Sequence, residues 1–233
     1  MKRFLKSYLV FTSLIYRIVM FIIVPIVMKA AMLCLGGAFG RIGPLNLYDV
    51  PGAGVFMVVM MFFPMVEIIS DTWMFGGIQS KDADKLEYLK TSSIGIQVLK
   101  RALSIDLLRK FFSALGIIGV SYGVLYWRLT PDLKRANTEG DWEMLLFALL
   151  VSYFFSVLGT LLTRYGSMIW LNVMVAYLIE LIILTIILVF TFNWLFSRYI
   201  VEFCVLSAIL DVVISILAVR IAMKKVEGSY YDK

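Results

Sequence analysis

Six stretches of this sequence are apolar over the thickness of a bilayer, and such stretches have few folds open to them. In hydrocarbon every backbone N–H and C=O must be satisfied inside the protein, which leaves helices and closed barrels. A run of about 20 apolar residues crosses as a helix. The runs fall at about 18–37, 52–75, 110–128, 142–162, 168–191 and 199–220. They account for a composition that is 61% hydrophobic and 16% charged over 233 residues, against roughly 45–50% and 25% in ordinary globular domains. The loops are too short for a separate soluble domain. The sequence predicts an all-α integral membrane protein, one domain over 1–233 with six transmembrane helices, and it excludes a soluble enzyme. No internal repeat or low-complexity segment is visible.

Charge gives the orientation. The formal net charge is +6, and the basic residues sit beside the spans. This predicts contact with anionic lipid headgroups and no nucleic-acid partner. With the N-terminus inside, sixteen of the 22 Lys and Arg residues fall on inner segments and five on outer ones, with Lys29 inside span one. The asymmetry predicts both termini in the cytoplasm and an even number of spans. Lys2, Arg3 and Lys6 before an apolar stretch resemble a signal peptide, but no small-residue cleavage site follows, so the segment is read as retained.

Residues 1–17 carry Phe4, Leu5, Tyr8, Leu9, Phe11, Leu14 and Ile15 at helical spacing. This predicts an amphipathic interfacial helix ahead of span one. Trp127, Trp142, Trp170 and Trp194 fall near span ends, where indole rings favour the interface. Cys34 and Cys204 lie in apolar runs and are read as packing residues rather than a disulfide. The chain has no histidine, which removes the commonest acid–base group and metal ligand; no catalytic or metal-binding constellation is expected.

The longest inner segment lies between spans two and three, over 76–109. Asp84 and Glu87 have capping-box spacing. Leu86, Tyr88 and Leu89 then give a short helix with one apolar side. A second amphipathic stretch follows, with Ile94, Ile96, Leu99, Leu103 and Leu107 among Lys100, Arg101, Asp106 and Arg109; it is expected to lie on the inner surface and lead into span three. A short helix with mixed charges and an apolar edge suits docking into a groove of another protein. A solvated hairpin is the alternative on spacing alone.

This layout resembles the permease subunit of ABC-2 type exporters: an amphipathic inner helix, six spans, and a longer cytoplasmic loop between spans two and three. The stretch Phe75-Gly76-Gly77-Ile78, with Lys81-Asp82 and Lys85-Leu86-Glu87-Tyr88-Leu89-Lys90-Thr91, is similar to small bacterial permeases for peptide export, nearest to the Pmt-type exporters of phenol-soluble modulins, which are amphipathic cytolytic peptides. The layout covers the whole chain and the residue match only this stretch. The outer loop at about 192–198 is short, whereas many family members carry re-entrant helices there. The resemblance implies a coupling helix at Asp82, Asp84, Lys85, Leu86, Glu87, Tyr88, Leu89 and Lys90 that sits in a cleft of a separate ATPase subunit. It also implies two such ATPases, a second permease copy, an amphipathic peptide cargo, and a place in the bacterial plasma membrane. No GxxxxGK[ST] phosphate loop is present, so ATP and Mg are expected on the partner ATPase and no cofactor on this chain.

Lys29, Glu67, Glu180 and Asp211 fall inside predicted spans, where Asp, Lys or Arg at mid-membrane costs about 2.5–3.5 kcal/mol. Lys29 is expected to pair with Glu180 or Asp211; lining of a substrate path and a proton relay are the other readings. Met57, Met60, Met61 and Met65 make span two adaptable, although packing explains them as well. Gly119 and Gly123 have the spacing that lets helices approach closely, within the chain or between subunits. Three rival functions stay open: an ion- or proton-driven transporter using the intramembrane charges, a membrane-embedded enzyme, and a structural anchor for a partner.

Overall fold

The computed structural model describes residues 2–30, 51–79, 91–92, 94–128, 141–165, 174–175, 177–179, 181–182, 186 and 194–228. Among these there is no strand. The helices are α1 (Lys2–Phe11), α2 (Leu14–Ala30), α3 (Pro51–Gln79), α4 (Gly95–Arg128), α5 (Asp141–Tyr165) and α6 (Trp194–Gly228).

The N-terminal helix is shorter than the sequence suggests. It ends at Phe11, and residues 14–17 belong to α2, which leaves at 107°. The cause is local. Ser13 is extended (φ −72°, ψ 162°), and its hydroxyl accepts the Tyr16 N–H at 3.1 Å, satisfying a donor that a helix start leaves open. One face of α1 is buried at Ser7 and Tyr8, as is Thr12 just beyond it, while Leu5, Leu9 and Val10 stay exposed. The Arg101 guanidinium of α4 lies 5.7 Å from the centroid of Phe4. Within α2 the residues Val19–Ile23 form one π turn, and the Val24 N–H reaches the Val19 carbonyl. Pro25 follows and has no N–H to give Phe21, so the wider turn comes just before the missing rung.

The stretch from Gly95 onward is not a separate surface helix. α4 is a single helix of 34 residues, about 51 Å long at 1.5 Å per residue, and the apolar face of its first turns (Leu99, Ala102 and Leu103) is buried against α1. α3 runs on to Gln79. The connection between the two helices is therefore 80–94, narrower than the 76–109 read from the sequence. α5 exceeds its predicted bounds slightly. α6 begins at Trp194 and carries a break at Tyr199 (φ −119°, ψ 20°) near the expected start of span six. Of span five only isolated helical residues are described, among them exposed Met174, Leu178 and Ile182.

α5 is the central helix, packed mainly on α3 and α6. Its buried hydroxyls are satisfied inside the helix: Ser152, Ser156 and Thr160 donate to the carbonyls of Leu149, Ser152 and Val157. At Gly159 a Cβ would overlap the Ile68 side chain of α3, so the glycine sets how closely these helices approach. Gly119 and Gly123 differ, because nothing lies within 4 Å of a Cβ added at either. They pack against no described part of this chain.

Two described helices are long and apolar enough to cross a membrane, Leu145–Leu162 and Tyr199–Lys224, or three if the bent pair of α1 and α2 counts as one span. The first is mostly buried and the second mostly exposed. Trp127 and Trp142 are exposed at neighbouring ends of α4 and α5, where Tyr122 meets Trp142 at 5.5 Å between ring centroids. Trp73 is half exposed near the other end of α3. Cys204 is a buried free thiol directed at the Glu143 carbonyl at 3.8 Å; Cys34 lies outside the described residues.

Candidate functional site

α3 and α4 face each other with acids and bases at matching heights. Glu67 and Asp71 are one turn apart on α3, and Asp106, Arg109 and Lys110 fall on the first half of α4. Helical spacing puts each set on one face. Arg109 grips the Glu67 carboxylate in fork geometry: Nη1 donates to Oε1 at 3.0 Å and Nη2 donates to Oε2. Its Nε donates to Asp106 Oδ1 at 3.0 Å and Nη2 also reaches Ser70 Oγ at 3.4 Å. Lys110 Nζ lies 3.2 Å from Asp106 Oδ2 and 3.5 Å from Asp71 Oδ1. The Lys110 ammonium is fully buried and is held by charge more than by well-aligned hydrogen bonds. The N-terminal region closes the cluster: Tyr16 of α2 shares a 2.7 Å hydrogen bond with Ser70, and Tyr8 of α1 is buried beside it. Burial pushes the Tyr8 hydroxyl well above its ordinary value, so it stays neutral.

Ions buried to this degree each lose several kcal/mol of hydration, and the loss is recovered only through close partners. The cluster lies far from the Trp142 end of α5. Gly159 packs on Ile68, so Glu67 lies about 25 Å from Trp142 along α5 at 1.5 Å per residue. The charges thus sit toward the end of the helices that carries the 80–94 connection, away from Trp142.

Apolar clusters bracket the ions. On the side of the 80–94 connection, Met74 and Phe75 of α3, Leu99 and Leu103 of α4, Tyr8, Tyr16 and Met20 of α1 and α2, and Met223 and Val226 of α6 pack together. On the other side Val59, Phe63, Ile117, Tyr122 and Leu149 form a second cluster. The two helices that flank residues 80–94 are therefore locked to each other, and to both terminal helices, close to that connection.

Of the residues singled out in the sequence, Glu67 joins this cluster. Asp82, Asp84, Lys85, Leu86, Glu87, Tyr88, Leu89 and Lys90 lie outside the described residues, as does Glu180. Lys29 is half-buried and, among the described residues, no acid pairs with it. It lines a groove of about 590 Å³ between α1, α2 and α4 with Arg17, Phe21 and Phe112. Asp211 is buried on α6 and, among the described residues, neither carboxylate oxygen has a hydrogen-bond partner, so the expected pair with Lys29 does not form. Met65 is half-buried, and the side chains of Met57, Met60 and Met61 lie outside the described residues.

The roles of Asp71, Asp106, Arg109 and Lys110 were missed by sequence reasoning, which used the two basic residues as orientation charges and placed Asp106 and Arg109 on the polar side of an amphipathic stretch. The signal was present: acids at i and i+4 on α3, and an acid followed by bases at i+3 and i+4 on α4. Among the described residues no group of three or more Cys, Asp or Glu side chains is arranged to hold a metal ion. No family model matches the chain. No curated protein matches it either, nor does any solved structure.

Proposed function

We propose that this chain is the membrane-spanning permease subunit of an ATP-driven exporter in the bacterial plasma membrane. It crosses six times with both termini in the cytoplasm. Two ATPase subunits supply the motor, a second permease copy completes the path, and the cargo is amphipathic or hydrophobic, such as a membrane-active peptide. The chain itself is not catalytic; ATP and Mg belong to the partner.

One observation carries this reading: α3 and α4, which flank the candidate coupling helix, are clamped by the Glu67–Arg109–Asp106–Lys110–Asp71 cluster. A force on residues 82–90 meets a packed junction of α1, α2, α3, α4 and α6 rather than a loose loop. Packed elements with discrete arrangements move as bodies, and a ligand shifts such an equilibrium only through different affinities for its two states. ATP binding by a motor seated at 82–90 has a mechanical route into the spans through that junction.

The test is purification of the tagged chain from its own host in mild detergent, with and without charge reversal at Asp84, Glu87 and Lys90. A near-stoichiometric ATPase that is lost on charge reversal supports the reading. A stable, well-folded chain that brings down no ATPase refutes it. A gradient-driven transporter is the second reading, favoured by the buried Asp211, which has no hydrogen-bond partner among the described residues. It predicts activity without an ATPase.

A further inference from the structure

Asp211 is 6% exposed and, among the described residues, neither carboxylate oxygen has a hydrogen-bond partner. Register along α6 fixes its depth. Cys204 meets the carbonyl of Glu143, and Ser215 Oγ lies 2.8 Å from the Tyr153 hydroxyl. Asp211 is therefore level with Leu150, about 12 Å from Trp142 along α5 at 1.5 Å per residue. That is near the middle of a core about 30 Å thick, where a lone acid has neither water nor lipid headgroup to solvate it.

The side chain does not face a packed interior. It lines a groove of about 760 Å³ between α4, α5 and α6 whose walls are apolar residues such as Phe111, Leu150 and Ile216, with Tyr153 and Ser215 beside the acid. Lys100 and Arg220 line the same groove and are exposed; Arg220 lies about 13 Å along α6 from Asp211. An uncompensated acid at the deep end and two bases toward the edge define a polarity. The matching occupant has a cationic group on an apolar chain, with any anionic group displaced toward the bases.

We propose that Asp211 is the anchor of a binding site for the alkylammonium group of an amphiphile. The ammonium is held by the Asp211 carboxylate, its remaining donors face the Tyr153 and Ser215 hydroxyls, and the apolar chain lies along the groove. An alkylammonium fits better than a hydrated metal ion, since the groove is large, apolar and offers one carboxylate, whereas hard cations need several oxygen ligands. A single strong charge contact inside an apolar groove selects for charge and amphipathicity more than for sequence, as a path for varied amphipathic peptides requires. Only the identification of this ligand with exported cargo rests on the exporter reading. The binding itself requires no ATPase, so the two can fail separately.

The test uses the purified full chain in lipid nanodiscs, a fluorescent long-chain alkylammonium, and the uncharged alcohol of the same chain length and fluorophore. The wild type is expected to bind the ammonium at least tenfold more tightly than the alcohol. Asp211→Asn should remove that preference with alcohol binding unchanged, and Asp211→Glu should keep part of it. Retained alcohol binding by Asp211→Asn shows that the groove is still formed; if that variant does not fold, Ser215→Ala, expected to weaken ammonium binding alone, takes its place. Equal affinity for ammonium and alcohol in the wild type, or a preference that survives Asp211→Asn, overturns the proposal.

Discussion

Arg109→Met removes the cation that three side chains share while keeping a long apolar stem of similar reach. The Glu67 side chain, 1% exposed, loses both arms of the guanidinium, and Asp106 loses one of its two cations. Breaking a buried pair by removing one partner costs about 3–5 kcal/mol, because the other charge stays buried. Lys110 remains 3.2 Å from Asp106 and still compensates that acid, which places the expected loss toward 3 kcal/mol. For a chain of this size, about 2–4 °C in Tm accompanies each kcal/mol, so a drop of about 10 °C is expected. The assay is thermal unfolding followed by far-ultraviolet circular dichroism in one detergent, with every variant at the same concentration. Adding Glu67→Gln to Arg109→Met removes the orphaned charge, so the double variant should melt above Arg109→Met, and its loss should fall short of the sum of the two single losses by about 0.5–3 kcal/mol. A loss under about 1 kcal/mol, the value of exposed pairs, or a double variant equal to the sum of the singles, would refute the clamp.

Gly159→Leu drives a side chain into Ile68 and should cost about 1–3 kcal/mol through overpacking, partly restored by Ile68→Ala in the same melting assay. Gly119→Leu meets no described atom within 4 Å and should leave the melting temperature unchanged; a smaller detergent-solubilised particle without lower stability would mark that face as a contact between copies, and a lower melting temperature would contradict its open placement. Tyr16→Phe deletes the 2.7 Å hydrogen bond to Ser70 and should cost about 1 kcal/mol, read as a proportionate fall in Tm. Ser13→Ala removes the cap at the bend between α1 and α2 and should also cost about 1 kcal/mol; hydrogen exchange should rise first at the amides of residues 14–17, and a uniform rise along α2 would argue against a local cap.

The helices were legible because hydrophobicity over about 20 residues is a strong local signal. The runs at 52–75, 142–162 and 199–220 fall within α3, α5 and α6, and the stretch leading to 110–128 falls within α4. What was not legible is what touches what. Arg109 looks like any juxtamembrane base until α3 brings Glu67 opposite it. The helical stretch at 95–109 shows an amphipathic face whether that face meets lipid or, as here, α1. The bend at Ser13 was available from its capping chemistry, yet the apolar spacing of 1–17 ran through it unbroken and concealed it. Asp211 was recognisable as an intramembrane acid, but that Lys29 faces the groove against α4 and not Asp211 is something no spacing rule reveals. The Gly119–Gly123 pair suggested close packing, and it was Gly159, without a second glycine at matching spacing, that the fold used.

The central claim is that this chain moves cargo under power supplied by a separate ATPase. Its most direct test is reconstitution of the purified chain, with whatever ATPase accompanies it, into sealed vesicles, followed by the ATP-dependent transfer of a labelled amphipathic helical peptide. The account predicts transfer that needs ATP, is abolished by charge reversal at Asp84, Glu87 and Lys90, and persists when a protonophore collapses the ion gradient. Transfer by the chain without ATP or ATPase, and its loss when the gradient collapses, would contradict the account and assign the work to an ion-driven carrier.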